Sequence, residues 1–117
     1  MKTILIIDDE PEILGIVKEQ LEILEYHLHI LTAVNVKQVE EQIHLADLIL
    51  ADINVPAREV LEKQLQECGV PVGRMSGHVE YTGPHIIHKP FVFEEFQGLI
   101  DHLISQASDR SQKDPAA

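Results

Sequence analysis

The chain has 117 residues, of which 44% are hydrophobic and 25% are charged, as expected of one soluble globular domain. A formal net charge of −11 repels phosphate backbones and so argues against nucleic-acid binding, and no apolar run is long enough to span a membrane. The single cysteine cannot form an internal disulfide. The first predicted strand begins at the third residue, so we expect no signal peptide before it. We therefore expect a cytoplasmic protein.

The first half of the chain alternates between apolar runs and helical periodicity. The run TILII at residues 3–7 predicts a strand that is buried on both faces. Pro11 suits the first turn of a helix, apolar residues follow it at spacings of three and four, and Asn35 is placed to cap the next helix. The elements predicted in this half are strands over 3–7, 27–33 and 47–52, a helix over 11–25 and a helix marked by Val36, Val39 and Ile43.

The second half repeats this alternation. Leu61 and Leu65 share one face of a helix that follows Pro56, and Gly69 supplies its left-handed stop. The remaining elements predicted are strands over 70–76 and 85–88 and an amphipathic helix marked by Phe93, Phe96, Ile100 and Leu103 that ends near Ile104. We therefore predict a domain over residues 1–105, and a disordered tail over 106–117 because that stretch has no apolar periodicity.

Strands and helices that alternate in this way predict a doubly wound parallel α/β sheet. Functional sites of such sheets lie outside the carboxyl ends of the strands, where the strand order reverses. Polar residues stand at the ends of four predicted strands. They are Asp8, Asp9 and Glu10 after the first strand, Asp52 at the end of the third, Ser76 at the end of the fourth and Lys89 after the fifth.

Carboxylates that are held together repel one another unless a cation lies among them. Mg²⁺ takes one or two carboxylates and keeps its other positions for water and phosphate oxygens, so such a site suits phosphoryl chemistry. Asp52 can act there as a nucleophile that forms an aspartyl phosphate. Lys89 would neutralise the phosphoryl charge, and the Ser76 hydroxyl would donate a hydrogen bond to a phosphoryl oxygen.

Four motifs, IIDDEP, LILADINVP, RMSG and HKPF, occur in this order, each at a predicted strand end. Over about residues 2–105 the sequence resembles the receiver domains of bacterial two-component response regulators. The resemblance implies a flavodoxin-like five-stranded sheet of order 2-1-3-4-5. It also implies Asp52 as the phosphoacceptor, Ser76 at the hydroxyl position and Lys89 before Pro90.

The same resemblance implies a Mg²⁺ site. Asp9 and Asp52 would ligate the ion directly, the backbone carbonyl of Asn54 would be a third ligand, and Asp8 would act largely through a bound water. Asn54 and His78 match positions that tune the lifetime of the phosphoryl group in this family.

Two departures from the family lie between the fourth strand and the last helix. Only 12 residues separate Ser76 from Lys89, and after a fifth strand too few remain for a full fourth helix, which we expect to be short or absent. The family's switch aromatic, three residues before the lysine, is Ile86 here.

A parallel sheet must be covered on both faces. Without a fourth helix, we expect Val72, Ile86 and Ile87 to face water, and a homodimer through the face of strands 4 and 5 is one way to cover them. The other is an ordered loop over residues 77–84.

We therefore expect a receiver, not an enzyme, that accepts a phosphoryl group on Asp52 from a histidine kinase or phosphotransfer protein and so switches protein–protein interactions. The alternative is a protein-interaction module of the same fold in which phosphorylation no longer switches anything. A phosphate hydrolase of the haloacid dehalogenase type is set aside, because its acid–base carboxylate two residues after the nucleophile is Asn54 here.

Overall fold

The computed structural model describes residues 1–76, 86–88 and 93–112, and within these ranges the chain folds as a five-stranded sheet with helices on both faces. All four strand pairings are parallel, in the order β2-β1-β3-β4-β5. The strands are β1 (Lys2–Ile7), β2 (Leu28–Ala33), β3 (Leu48–Asp52), β4 (Val72–Ser76) and β5 (Ile86–His88). The helices are α1 (Pro11–Ile23), α2 (Val36–Gln42), α3 (Arg58–Glu67) and α4 (Phe93–Gln112), with a 3₁₀ turn over Ile43–Leu45. The predicted fold class and strand order are confirmed.

The core explains why the first strand is a continuous apolar run. Ile4 and Ile6 pack in one cluster with α1 and α4, whereas Leu5 and Ile7 pack in a second cluster with α2 and α3. Alternate residues of a strand point to opposite faces, so a strand covered on both sides needs an apolar residue at every position.

The predicted start and stop signals account for three of the helix boundaries. Pro11 opens α1, and the side chain of Asn35 caps α2 by accepting a hydrogen bond from the backbone N–H of Gln38 at 2.9 Å. Gly69, with φ of 71°, follows α3 in the left-handed conformation. The first helix ends at Ile23, before the predicted limit of residue 25, because Glu25 takes a positive φ and turns the chain.

The last helix is longer than predicted. It continues to Gln112, so the end expected near Ile104 and the tail expected over residues 106–112 are wrong. Ala107 is only 1% exposed and packs in the same cluster as Ile100 and Leu103, which extends the apolar stripe by one more turn. A small alanine that continues such a stripe is easily overlooked in a sequence. Residues 113–117 lie outside the described residues.

The face of β4 and β5 exposes fewer apolar side chains than predicted. Ile87 is 5% exposed and belongs to the core beside α4, so the expectation that it faces water is wrong. Val72 packs against the cluster beneath α2 and α3. Arg74, on the same face, pairs with Glu62 of α3 at 2.7 Å. The shortened fourth helix would fall at residues 77–84, outside the described residues, and the homodimer stays a prediction.

No helix in the described ranges combines the length and apolar character that crossing a membrane requires.

Candidate functional site

Four acidic residues meet at the carboxyl edge of the sheet. Asp8, Asp9 and Glu10 follow β1, and Asp52 ends β3; each offers a carboxylate oxygen, and these oxygens all lie within 4.8 Å of one another. Strands β1 and β3 are neighbours, and the chain runs from β1 outward to β2 on one side and to β3 and β4 on the other. The cluster therefore occupies the switch point of the strand order, where open α/β sheets bind their ligands.

The cluster has a buried half and an exposed half. Asp8 and Asp52 are 0% and 2% exposed, whereas Asp9 and Glu10 lie at the surface. Ser76, also fully buried, ends β4 one residue beyond Met75, the register partner of Asp52. We call this cluster, with two buried carboxylates beside two acids that are open to solvent, the acidic pocket.

Asp8 also shapes the loop that carries the cluster. Its Oδ1 accepts a hydrogen bond from the backbone N–H of Glu10 at 2.9 Å, which forms a tight turn between β1 and α1. The backbone N–H of Asp8 donates to the carbonyl of Ala33 at 3.1 Å and continues the ladder between β1 and β2. Asp8 is thereby fixed at both backbone and side chain.

The loop after β3 is anchored in a similar way. The backbone N–H of Ile53 donates to the carbonyl of Met75 at 3.0 Å, and the side chains of Ile53 and Val55 are buried. Asn54, between them, has an exposed side chain and follows Asp52 by two residues. The two apolar anchors hold the backbone of Asn54 in place, as a carbonyl ligand would require.

The donor set fits a hard divalent cation. All four side chains offer carboxylate oxygens, the ligands that Mg²⁺ prefers, and no histidine or thiolate of residues 1–76, 86–88 and 93–112 belongs to the cluster. The positive end of α1 explains a surface acid such as Glu10 without any ion. It does not explain two buried carboxylates side by side, because burying charge is costly unless a counter-charge is present.

The structure brings together most of the residues that the sequence predicts. Asp8, Asp9 and Asp52 form the cluster, and Ser76 ends the adjoining strand. Glu10 belongs to the cluster as well, although the sequence did not count it among the expected Mg²⁺ ligands. Glu10 follows Asp8 by two residues, and an aspartate side chain commonly accepts a hydrogen bond from the backbone N–H two residues later, as it does here. This spacing is the signal that could have placed Glu10 in the cluster.

Three of the residues that the sequence singled out belong to other stretches of the chain. Lys89, Pro90 and His78 lie outside the described residues, so the expected phosphoryl-neutralising role of Lys89 stays a prediction. Ile86, at the position of the family's switch aromatic, lies beside Arg74 in the register of β4 and β5 and is half-buried.

Comparison with solved structures places the fold among known ones. The chain superimposes on the signal receiver domain of a DNA-binding response regulator from Colwellia psychrerythraea 34H with a TM-score of 0.73 and 21% identity, covering 91% of this chain and 100% of that one. A CheY-like receiver domain protein from Methanospirillum hungatei JF-1 gives 0.73 and 23%, over 94% and 98% of the two chains. The chain has the fold of a response-regulator receiver domain.

A third receiver-fold neighbour is the two-component transcriptional regulator AraC from Clostridium phytofermentans ISDg, with a TM-score of 0.77 and 18% identity over 97% of this chain and 100% of that one. No protein-family model matches the sequence, and a search of curated proteins found no match. The likeness to receiver domains is thus one of fold, and the chemistry of the site depends on the residues at the carboxyl edge of the sheet.

Proposed function

We propose that this receiver-fold chain is a phosphoacceptor of a two-component phosphorelay, phosphorylated on Asp52 in a Mg²⁺-dependent manner, and that this modification switches protein–protein interactions. The observation that supports it is the buried Asp52 carboxylate at the switch point of the sheet, within 4.8 Å of three other acids. In this proposal the chain receives a phosphoryl group and is not an enzyme that turns over a separate substrate.

Each residue has a defined part in the proposed transfer. An oxygen of Asp52 attacks the phosphorus of a phosphohistidine, the new O–P bond forms as the P–N bond breaks, and the leaving imidazole takes a proton. Ser76 lies in β4, one residue beyond the register partner of Asp52. Its hydroxyl would donate a hydrogen bond to a phosphoryl oxygen. Lys89 would neutralise the remaining charge.

The same residues would hold the magnesium. Asp9, Asp52 and the backbone carbonyl of Asn54 would contact the ion, with Asp8 acting through water and Glu10 within reach at the rim. The bound ion would supply positive charge that offsets the repulsion between the carboxylates and an incoming phosphoryl group.

The phosphodonor is proposed to be a histidine kinase or phosphotransfer protein. Helix α1 starts beside the pocket and exposes Ile16 and Ile23 by 47% and 60%, with the exposed acids Glu12 and Glu19 on the same helix. A Cβ built on Gly15 would meet no other atom within 4 Å, so this face is open to close approach. Exposed apolar side chains among acids suit a protein partner with an apolar centre and basic edges.

The test is direct phosphorylation. We expect that phosphoramidate or acetyl phosphate with Mg²⁺ adds one phosphoryl group, seen by intact mass, and that EDTA or the Asp52→Asn substitution abolishes it. Asp47→Asn is the matched control, because Asp47 lies at the opposite end of β3 and bonds the backbone N–H of Thr3 at 2.8 Å. An unmodified wild type, or an equal adduct on Asp52→Asn, would contradict the proposal.

A second candidate is a receiver-fold interaction module that does not switch. Ile86, half-buried beside Arg74, favours it, because this side chain offers no aromatic ring to change position when the pocket is occupied. Beryllofluoride with Mg²⁺ separates the two. Amide chemical-shift changes that reach β5 and α4 support a switch, whereas changes confined to the acidic pocket support the non-switching module.

A further inference from the structure

Strand β2 lies at an edge of the sheet and carries none of the usual protection against further pairing. Its segment LHILTA, residues 28–33, is rich in apolar and β-branched residues and contains no lysine, acid, proline or glycine. Six-residue segments of this composition are prone to pair with copies of themselves when their edge is exposed. A monomeric chain therefore needs another device to close this edge.

The outward-facing backbone groups of β2 can be assigned from one hydrogen bond. The carbonyl of Ala33 faces β1, since it accepts from the backbone N–H of Asp8 at 3.1 Å. Backbone groups of successive residues in a strand point to alternate edges, so those of Leu28, Ile30 and Thr32 face outward. These three residues form the outer edge of β2.

Two hydrogen bonds occupy the ends of that edge. The side-chain Nε2 of Gln42, the last residue of α2, donates to the carbonyl of Thr32 at 2.9 Å and is held in place by the carbonyl of Gln38 at 3.3 Å. At the other end, the backbone N–H of Leu28 donates to the carbonyl of Tyr26 at 2.9 Å. Counting hydrogen bonds within the described part of the chain, only Ile30 keeps both its N–H and its carbonyl for a sixth strand, which is too short a ladder to hold one.

We propose that the side chain of Gln42 closes the outer edge of β2 against a second copy of this chain. Its side-chain N–H occupies the carbonyl of Thr32, an acceptor that a sixth strand would need. The pairing that it prevents is an antiparallel one between two β2 edges, because a two-fold axis perpendicular to the sheet joins two identical edges in that way.

The decisive variant is Gln42→Met, which keeps the length of the side chain and removes the donor. We expect wild type to show no association through β2. For Gln42→Met, the weight-average mass in sedimentation should rise with concentration toward twice the mass of the monomer. Thioflavin fluorescence should then grow faster for Gln42→Met than for wild type. Gln64→Met is the matched control, because Gln64 also donates to a backbone carbonyl, that of Val36 at 3.1 Å, away from the edge. It should lose a similar hydrogen bond and sediment as wild type does.

A suppressor identifies the surface involved. His29 is the second residue of β2 and has an exposed side chain, so His29→Lys adds a charge to the strand without entering the core. We expect His29→Lys to restore wild-type sedimentation to the Gln42→Met protein, with melting temperatures confirming that every variant is folded. The proposal is overturned if Gln42→Met sediments as wild type does, if Gln64→Met associates equally, or if His29→Lys leaves the association unchanged.

Discussion

Single side chains in this protein join parts of the chain that are distant in sequence. Tyr26, in the connection between α1 and β2, donates its hydroxyl to a carboxylate oxygen of Asp101 in α4. Burial raises the pKa of the Tyr26 phenol above its ordinary value, and the hydrogen bond and negative charge of Asp101 raise it further. The pair therefore ties α4 to the sheet only while the phenol is protonated.

The pH dependence follows from the direction of that shift. A raised pKa in the folded state means that the stabilisation is fully present below the unfolded-state value of about 10 and is lost as the pH rises above it. We expect Tyr26→Phe to lower the free energy of unfolding by about 0.5–1 kcal/mol at pH 7, a modest amount because Asp101 is exposed to water. Urea unfolding at pH 7 and above pH ~10 should show this difference shrinking in alkali. An unchanged difference would contradict the assignment.

At the scale of elements, β4 is held from both faces and ends at Ser76, beside the end of β3. On one face Gly73 lies under α4, and a Cβ built on it would lie 3.0 Å from Leu103 and 3.1 Å from Leu99. On the other face Arg74 bonds Glu62 of α3. The close approach of α4 to this strand depends on the missing side chain of Gly73.

We expect Gly73→Ala to lower the free energy of unfolding by about 1–3 kcal/mol, because both leucines are buried and leave the added methyl group little room. Gly98→Ala is the matched control within α4. A Cβ there meets no other atom within 4 Å, and alanine is the better helix former, so it should stabilise the protein by up to about 1 kcal/mol. Chemical denaturation measures the free energy of unfolding of both variants. A Gly73→Ala protein as stable as wild type would show that α4 moves aside for the added methyl group at little cost.

At the scale of the whole molecule, charge is unevenly placed. The chain carries a net charge of −11, and four of its acids share one edge of the sheet. Self-repulsion of this kind disfavours the compact state, and any cation bound only by the folded chain stabilises it by mass action. Mg²⁺ that binds at the acidic pocket should therefore raise the free energy of unfolding of the whole domain.

We expect Mg²⁺ to raise the melting temperature relative to EDTA, by the equivalent of about 2.7 kcal/mol when its concentration is a hundred times the dissociation constant. Asp9→Asn should remove most of that response and, because Asp9 is exposed, leave the fold intact. Glu12→Gln removes the same charge just outside the cluster and should keep the response, which controls for general screening. Equal Mg²⁺ responses in wild type and Asp9→Asn would show that Asp9 is not a ligand.

The sequence by itself determined the parallel sheet, its strand order through the family resemblance, and the acids at one edge. The sheet and the placement of the acids follow from local patterns: the unbroken apolar run of β1, the cap at Asn35, the stop at Gly69, and Asp8, Asp9 and Asp52 at strand ends. Each signal acts within a few residues, because hydrophobic period and backbone preference are local properties.

Only the tertiary structure decided features that depend on contacts between distant segments. Burial of Ala107 carries α4 past its predicted end, and packing beside α4 removes Ile87 from the surface. The turn held by Asp8 brings Glu10 into the acidic cluster, and α2 carries Gln42 to the edge of β2. A sequence pattern shows that a residue can be buried or bonded, but packing determines which partner it meets.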